Sequence, residues 1–288
     1  MLLDIQNIIL SMRPKQWVKN FFIFAALIFV YEFTNIDKIL LTVSAFVIFC
    51  LVSSATYLIN DIIDLPSDRK HPAKKFRPIA SGKVSSTLAL FLSIILLIFA
   101  LWWAVELNKW FSLVVIAYFL LNLLYSLFLK RVVILDVIVI ALGFVLRVIA
   151  GAVIINVAFS PWLVFCTFFL TLFLATGKRK GELMCYNTEE TRQVLSQYSL
   201  PLVDQINMVV LPLTLMTYTL YTFNSEHSRL LMVTVPIVLY GLLRYLFILN
   251  TKKINDNGPA DDFFSDNGLK GAVFLWLVVV FFVLLYAK

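Results

Sequence analysis

Residues 60–83 read Asn-Asp-Ile-Ile-Asp-Leu-Pro-Ser-Asp-Arg-Lys-His-Pro-Ala-Lys-Lys-Phe-Arg-Pro-Ile-Ala-Ser-Gly-Lys, directly after a long apolar run that ends near Ile59. On a helix, the spacings of three and four between Asp61, Asp64 and Asp68 stack their carboxylates on one face. Like charges so crowded repel unless a cation lies among them. A Mg²⁺ ion carrying a substrate diphosphate meets that need, because Mg²⁺ is usually held by a few carboxylates together with phosphate oxygens. Arg69, Lys70, Lys74, Lys75, Arg77 and Lys83 follow, and such cations could bind the phosphates themselves. The competing reading is a polar inter-helix loop that only orients the chain in a membrane.

Other charged clusters invite the same pair of readings. Gly177-Lys178-Arg179-Lys180-Gly181-Glu182 places three cations at the end of an apolar stretch, with Lys178 and Glu182 four apart. Such a run suits an anionic head group or phosphate, and equally suits anchoring at a membrane boundary. Arg147 lies midway through another apolar stretch, where an arginine normally faces the protein interior and has a partner. Asp136, eleven residues earlier, shares its face but is about 16 Å away along the axis, too far for a direct pair. Each therefore wants a partner elsewhere: a carboxylate on a different helix, or a phosphate entering a cavity. Tyr240 and Arg244 are i, i+4 neighbours that could meet a lipid phosphate, or Arg244 could snorkel to the interface. Arg13-Pro14-Lys15-Gln16-Trp17-Val18-Lys19-Asn20 reads as an interfacial anchor that could also set Lys15 or Lys19 against a phosphate. Tyr125 with Lys130 and Arg131 admits both readings. Asp261, Asp262 and Asp266 are candidates for a second metal position or, better, for a helix N-cap.

The elements that must carry these groups are apolar. Hydrophobic residues make up 61% of the 288 residues, charged residues 14%, and the mean hydropathy is +0.92. A soluble domain would carry nearer a quarter charged residues, so an all-α integral membrane protein is expected. Nine stretches approach the length of a ~30 Å hydrocarbon core. They lie near 17–36, 39–59, 85–105, 109–129, 132–156, 160–177, 205–224, 229–249 and 269–287. The N-terminus and the connections at 60–84, 130–131, 178–204 and 250–270 hold 18 of the 24 Lys and Arg residues, against four on the opposite side. That asymmetry predicts a cytoplasmic N-terminus, an outside C-terminus, and cytoplasmic loops at 60–84, 178–204 and 250–270 capping a single membrane domain over residues 1–288. No cleavable secretory signal is visible, so the N-terminus is expected to stay attached.

Several classes are excluded or disfavoured. Cys50 and Cys166 lie inside apolar runs and Cys185 just beyond one, with no metal-ligand spacing or disulfide framework. No Ser-His-Asp, Cys-His or zinc arrangement is present. The net charge of +7 points to anionic lipid or phosphorylated substrates, since no soluble basic surface is long enough for nucleic acid.

Nine spans with Asn60-Asp61-x-x-Asp64-x-x-x-Asp68 after the second, then Arg77-Pro78 and Ser81-Gly82, resemble the UbiA superfamily of intramembrane prenyltransferases. The resemblance implies a helical bundle around a central cavity open to the cytoplasm. It also implies aspartates Asp61, Asp64 and Asp68 that bind Mg²⁺ and through it a diphosphate. One departure is informative. Most members carry a second aspartate-rich motif after the sixth span, and here the Lys178-Arg179-Lys180 cluster stands instead. With Gly143-Phe-Val-Leu-Arg147 and the Arg13–Asn20 segment, it is similar to the decaprenyl-phosphate phosphoribosyltransferase branch.

That branch moves 5-phosphoribose from phosphoribosyl diphosphate to a polyprenyl phosphate, in actinobacteria for the arabinan of the cell wall. The resemblance therefore implies an Mg²⁺-dependent transferase in the cell membrane, with Asn60 helping to orient the metal site. Lys74, Lys75 and Arg77 become candidates for the diphosphate or 5-phosphate, Lys178 and Arg179 for the 5-phosphate, and Arg147 and Arg244 for the lipid phosphate. Lys15, Lys19, Tyr125, Lys130, Glu182 and Tyr240 complete the expected substrate contacts. Conventional prenyl transfer to an aromatic or other small acceptor is the alternative. A transporter of phosphorylated lipid is a more remote one.

Overall fold

A computed structural model describes residues 2–158, 160–185, 193–224, 229–251 and 266–286, and the described residues contain helices and no strand. The helices are α1 Leu2–Ser11, α2 Phe24–Phe29, α3 Ile36–Ile63, α4 Leu65–Asp68, α5 Ser86–Leu107, α6 Lys109–Leu127, α7 Leu135–Ile154, α8 Pro161–Cys185, α9 Leu200–Phe223, α10 Val235–Thr251 and α11 Asn267–Tyr286. Eight helical segments among the described residues are long and apolar enough to cross a membrane. The first expected stretch, 17–36, is divided between a 3₁₀ helix at Pro14–Ile23 and the short α2. Its polar residues turn inward: Trp17 Nε1 donates to Ser54 Oγ at 3.0 Å and Asn20 is 1% exposed. Asp261 and Asp262 lie outside the described residues, as do residues 186–192 and 252–265 of the expected loops at 178–204 and 250–270.

Local chemistry sets the helix starts. Asn35, Asn108, Ser85 and Ser199 each accept a backbone N–H from the first turn of α3, α6, α5 and α9, satisfying donors that a helix N-terminus otherwise leaves open. Asp266 does the same for α11, accepting from Leu269 N at 2.9 Å, so it is the cap that the sequence favours. Pro66 ends α3 early, because it has no N–H to give the carbonyl one turn back. Asp61 therefore sits on the last turn of α3, Asp64 at its C-cap and Asp68 at the end of α4. The aspartates share a kinked helical segment where the spacing alone suggests one straight helix.

The chain packs as two compact units, residues 1–130 with 146–158, and residues 131–145 with 159–288. In the first, Ala45, Ile48, Phe49 and Val52 of α3 pack with Ala100, Ala104, Phe111, Val115, Ala150 and Ala152. Alanines let backbones approach closely where lipid supplies no hydrophobic drive. In the second, Val137, Ala141, Phe173, Val210, Leu242, Tyr245 and Leu249 form the core. The most apolar stretches of α3 and α7 are 56% and 61% buried, against 22% for α5 and α11. The functional candidates in the spans lie mainly on these two enclosed helices. Side chains such as Phe91, Trp110, Met208 and Phe274 stay exposed, as residues facing lipid do.

Gly151 shows how tight the first core is. A Cβ there would lie 2.0 Å from the Ile23 carbonyl oxygen, a backbone atom that cannot swing aside. Gly151→Ala is expected to lower the melting temperature of detergent-solubilised protein, by overpacking worth about 1–3 kcal/mol. Gly271→Ala, where the added methyl meets open space, should leave it nearly unchanged.

Candidate active site

The first unit gathers the aspartates with cations from three other segments. Asp61 and Asp68 are each 3% exposed, and the carboxylate of Asp64 is 24% exposed. Arg77 Nη1 lies between two of them, 2.6 Å from Asp68 Oδ2 and 3.3 Å from Asp61 Oδ1. Arg13 also donates to Asp61 Oδ1, and its guanidinium lies 4.9 Å over the ring of Tyr57. Lys130, beyond α6, donates to Asp64 Oδ1. Arg77 and Lys130 are thus brought to the aspartates. Arg13 reads from the sequence only as part of an anchor, and no spacing rule links it to Asp61, 48 positions away.

The polypeptide positions these cations by turns. Arg13 adopts φ 55°, a left-handed conformation before Pro14 that side chains with a Cβ rarely take. Lys74–Phe76 form one 3₁₀ turn, after which Arg77 is extended at ψ 144°, and Ser81 N bonds back to its carbonyl at 2.8 Å. Gly82 completes the turn at φ 80°, a region glycine enters without strain. Lys75 is exposed with Nζ 5.2 Å from the Phe76 ring, Lys74 and Asn60 are half-buried, and Lys15 is exposed.

Two carboxylates converging on one cationic nitrogen make an oxygen-only donor pair with a positive group already between them. That chemistry fits Mg²⁺, which needs one or two carboxylates when substrate phosphates supply the rest. In the present arrangement, no three His, Cys, Asp or Glu side chains among the described residues close around one ion position. A metal at Asp61 and Asp68 would compete with Arg77 for their oxygens.

Deeper in the same unit, Arg147 is 4% exposed. Its Nε donates to Asn20 Oδ1 at 2.8 Å and its Nη2 to the Tyr118 hydroxyl at 2.7 Å, with the guanidinium 4.7 Å over the Tyr118 ring. Lys19 lies within electrostatic range of both Arg147 and Arg13. Tyr125 is half-buried at the end of α6.

The second unit answers what Asp136 pairs with. Asp136 is fully buried and accepts from Arg179 Nε at 2.8 Å and from the Tyr198 hydroxyl at 2.7 Å. Arg179, itself 2% exposed, also pairs with Glu182. The Tyr198 hydroxyl accepts in turn from Ile134 N at 2.8 Å. Burial, with Asp136 beside it, pushes the Tyr198 phenol well above its usual range, so it stays protonated and donates. Lys180 Nζ reaches Asp204 Oδ1 and Asn250 Oδ1, both at 2.6 Å. Arg179 and Lys180 therefore have protein partners, while Lys178 is half-buried on the same turn. Arg244 grips Asp266 through Nε and Nη2, each at 3.0 Å, and exposed Tyr240 places its hydroxyl near Gly268 beside that pair. Arg244 and Arg179 are thus held by carboxylates at the positions where the sequence suggests phosphates.

Comparison with known proteins adds three findings. The sequence model of the UbiA prenyltransferase family matches residues 21–278. The decaprenyl-phosphate phosphoribosyltransferase of Mycolicibacterium smegmatis is 32% identical over 79% of this chain and 74% of its own. That of Corynebacterium glutamicum is 30% identical over 95% and 85%. Among solved structures, a UbiA homologue from Archaeoglobus fulgidus bound to DMAPP and Mg²⁺ superposes with a TM-score of 0.70. It covers 96% of this chain and 98% of its own at 20% identity, which is a likeness of fold.

The Asp136 network yields a stability prediction. Asp136→Ala takes one of two carboxylates from a buried guanidinium and leaves the Tyr198 hydroxyl without its acceptor, so a loss of about 1–3 kcal/mol is expected in a denaturation series in detergent. Tyr198→Phe removes one hydroxyl bonded at both ends, and should cost about 1–3 kcal/mol. If both variants melt with the parent protein, the network carries no stability.

Proposed function

The chain belongs to the UbiA prenyltransferase family, and from that membership we propose that it transfers 5-phosphoribose from phosphoribosyl diphosphate to a polyprenyl phosphate, releasing diphosphate. The reading is supported by the curated relatives at 30–32% identity that bear this activity in their names. The observation that carries it is the balanced cluster in which Arg13, Arg77 and Lys130 hold Asp61, Asp68 and Asp64. A site that must take up an anion together with a metal needs both signs of charge, and here each carboxylate has a cation to exchange.

Asp61 and Asp68, with Asp64 and Asn60 beside them, would hold Mg²⁺. Bound there, the ion would neutralise the leaving diphosphate as a Lewis acid and template. The protein's own part is an exchange of partners. Arg77, Arg13 and Lys130 pass from carboxylate oxygens to phosphate oxygens, so no charge is left uncompensated when the donor arrives. Lys74 and Lys75, on the same turn as Arg77, add positive potential for the diphosphate or the ribose 5-phosphate. As the C1–O bond lengthens, positive charge grows on the ribose, and the nearby carboxylates stabilise it. The lipid phosphate attacks C1 from the face opposite the diphosphate and inverts that carbon. It is already ionised near neutral pH, so no general base is required. The aspartate cluster and the N-terminus lie on the cytoplasmic side of the cell membrane in this reading, and the product feeds a cell-wall or other glycan.

The test uses purified protein in detergent with Mg²⁺, a short polyprenyl phosphate and radiolabelled phosphoribosyl diphosphate. Label is expected to enter the organic phase, to stop with EDTA, and to resume when Mg²⁺ is restored. Asp61→Ala should reduce transfer by about 100-fold or more, since even outer-shell partners of a metal are worth about 10–100-fold. No label in the lipid, with consumption of a polyprenyl diphosphate and an aromatic acceptor instead, would replace this reading with prenyl transfer.

A further inference from the structure

We infer that Ser54 and Trp17 are positioning residues: together they fix the backbone carbonyl of Met12 and so aim Arg13 at the Asp61 carboxylate, where it meets the diphosphate of the donor. The inference rests on reading the aspartate cluster as the metal and diphosphate site, and it deepens that reading.

The backbone of Arg13 is the first observation. At φ 55° and ψ 59° it occupies the left-handed region, which an arginine seldom enters, and Pro14 follows directly. Such a conformation persists where its surroundings over-determine it, and it is a reason to look for function. The surroundings here are specific. Ser54, 0% exposed on α3, donates from Oγ to the Met12 carbonyl at 3.1 Å. The same Oγ accepts from Trp17 Nε1 at 3.0 Å. An indole N–H only donates, so the hydroxyl proton is left for Met12. Without the indole, that proton is free to turn back to a carbonyl of its own helix, as those of Ser53 and Thr56 do. On the other side of Arg13, Gln16 N closes the turn on the Arg13 carbonyl at 2.9 Å.

The second observation is alignment. Ser54, Tyr57 and Asp61 follow one another at spacings of three and four, so they lie along one face of α3. That face takes up the N-terminal segment piece by piece. The Met12 carbonyl is held at Ser54, the Arg13 guanidinium lies 4.9 Å over the Tyr57 ring, and Arg13 Nη2 ends at Asp61 Oδ1. One turn earlier on α3, Cys50 Sγ and Ser53 Oγ receive Asn20 Nδ2 at 3.2 and 3.4 Å. The oxygen that takes Arg13 is also 3.3 Å from Arg77 Nη1. Two guanidinium groups at one oxygen repel each other, and the backbone anchor at Ser54 opposes that repulsion. The Arg13 side chain is 24% exposed and that of Asp61 3%, so the cation is the part of this pair that an arriving diphosphate reaches.

Arg13→Gln and Ser54→Ala, alone and combined, test whether Ser54 acts through Arg13. Arg13→Gln should raise the KM for phosphoribosyl diphosphate about tenfold or more, and Ser54→Ala about three- to tenfold. Neither should move the KM for polyprenyl phosphate by more than about twofold, and adding Ser54→Ala to Arg13→Gln should raise the donor KM by less than about twofold further. Trp17→Phe leaves α3 untouched and removes only the N–H from a ring; it should move the donor KM in the same direction by a smaller factor. Binding is read apart from turnover as the thermal shift that inorganic diphosphate produces in the presence of Mg²⁺. Parent protein should shift, Ser54→Ala less, and the double variant no less than Arg13→Gln alone. A purely structural role predicts lowered melting temperatures with both KM values and the diphosphate shift unchanged, and that result overturns the inference. So does a Ser54→Ala effect as large in Arg13→Gln as in the parent protein, or one shared equally by the two substrates. If the parent protein transfers no ribose at all, the phosphoribosyl reading fails. The diphosphate shifts of the same variants then still decide whether Ser54 acts through Arg13.

Discussion

Keeping ionised side chains inside an apolar bundle is the constraint on which the rest of this structure depends. A charge taken out of water costs several kcal/mol unless a partner meets it, and in lipid no solvent can make good a poor fit. The aspartates on α3 and α4 remain buried because Arg13, Arg77 and Lys130 reach them from a left-handed turn, a 3₁₀ turn and the end of α6. Each of those backbone features carries a cation to the aspartates. The same bonds that make the cluster tolerable make it responsive, since an arriving metal and phosphate can take the place of both partners at once.

The two units treat buried charge differently. In the second, Asp136, Arg179, Glu182, Lys180 and Asp204 satisfy one another, and Tyr198 closes the network through the Ile134 backbone. Such an arrangement ties the last turns of α8, which carry Lys178, to α7 and α9. In the first, the buried guanidinium of Arg147 donates to Asn20 and Tyr118. Fully matched networks lock a structure. The replacement of a second acidic motif by Lys178-Arg179-Lys180 accordingly contributes at least two of its three cations to internal pairing.

Several features of the site are legible in the sequence. Asp61, Asp64 and Asp68 with Arg77 stand out because their spacing is local, and local spacing survives folding. Arg147 stands out because an arginine in an apolar run must have a reason. Asp266 is rightly favoured as a cap. What escapes a reading of the sequence is non-local: Arg13 with Asp61, Asn20 with Arg147, and Arg179 with Asp136 are separated by 48, 127 and 43 positions. Composition offers no means of choosing among the many cations and carboxylates that could pair across such separations. The kink at Pro66 is signalled by the proline itself, but the periodic carboxylates draw the expected helix straight through it.

By itself the sequence determined the class of molecule. Runs of about twenty apolar residues force helices upon a chain in lipid, since only there can every backbone N–H and C=O be satisfied within the segment. It also determined that the carboxylates would gather at the end of the second expected span, for i, i+3 and i, i+4 neighbours meet whatever the fold. The tertiary structure alone decided which cations those carboxylates received. Pairing between distant residues depends on which helices pack together, and burial then multiplies the consequence of each match, because charge interactions strengthen as water is excluded.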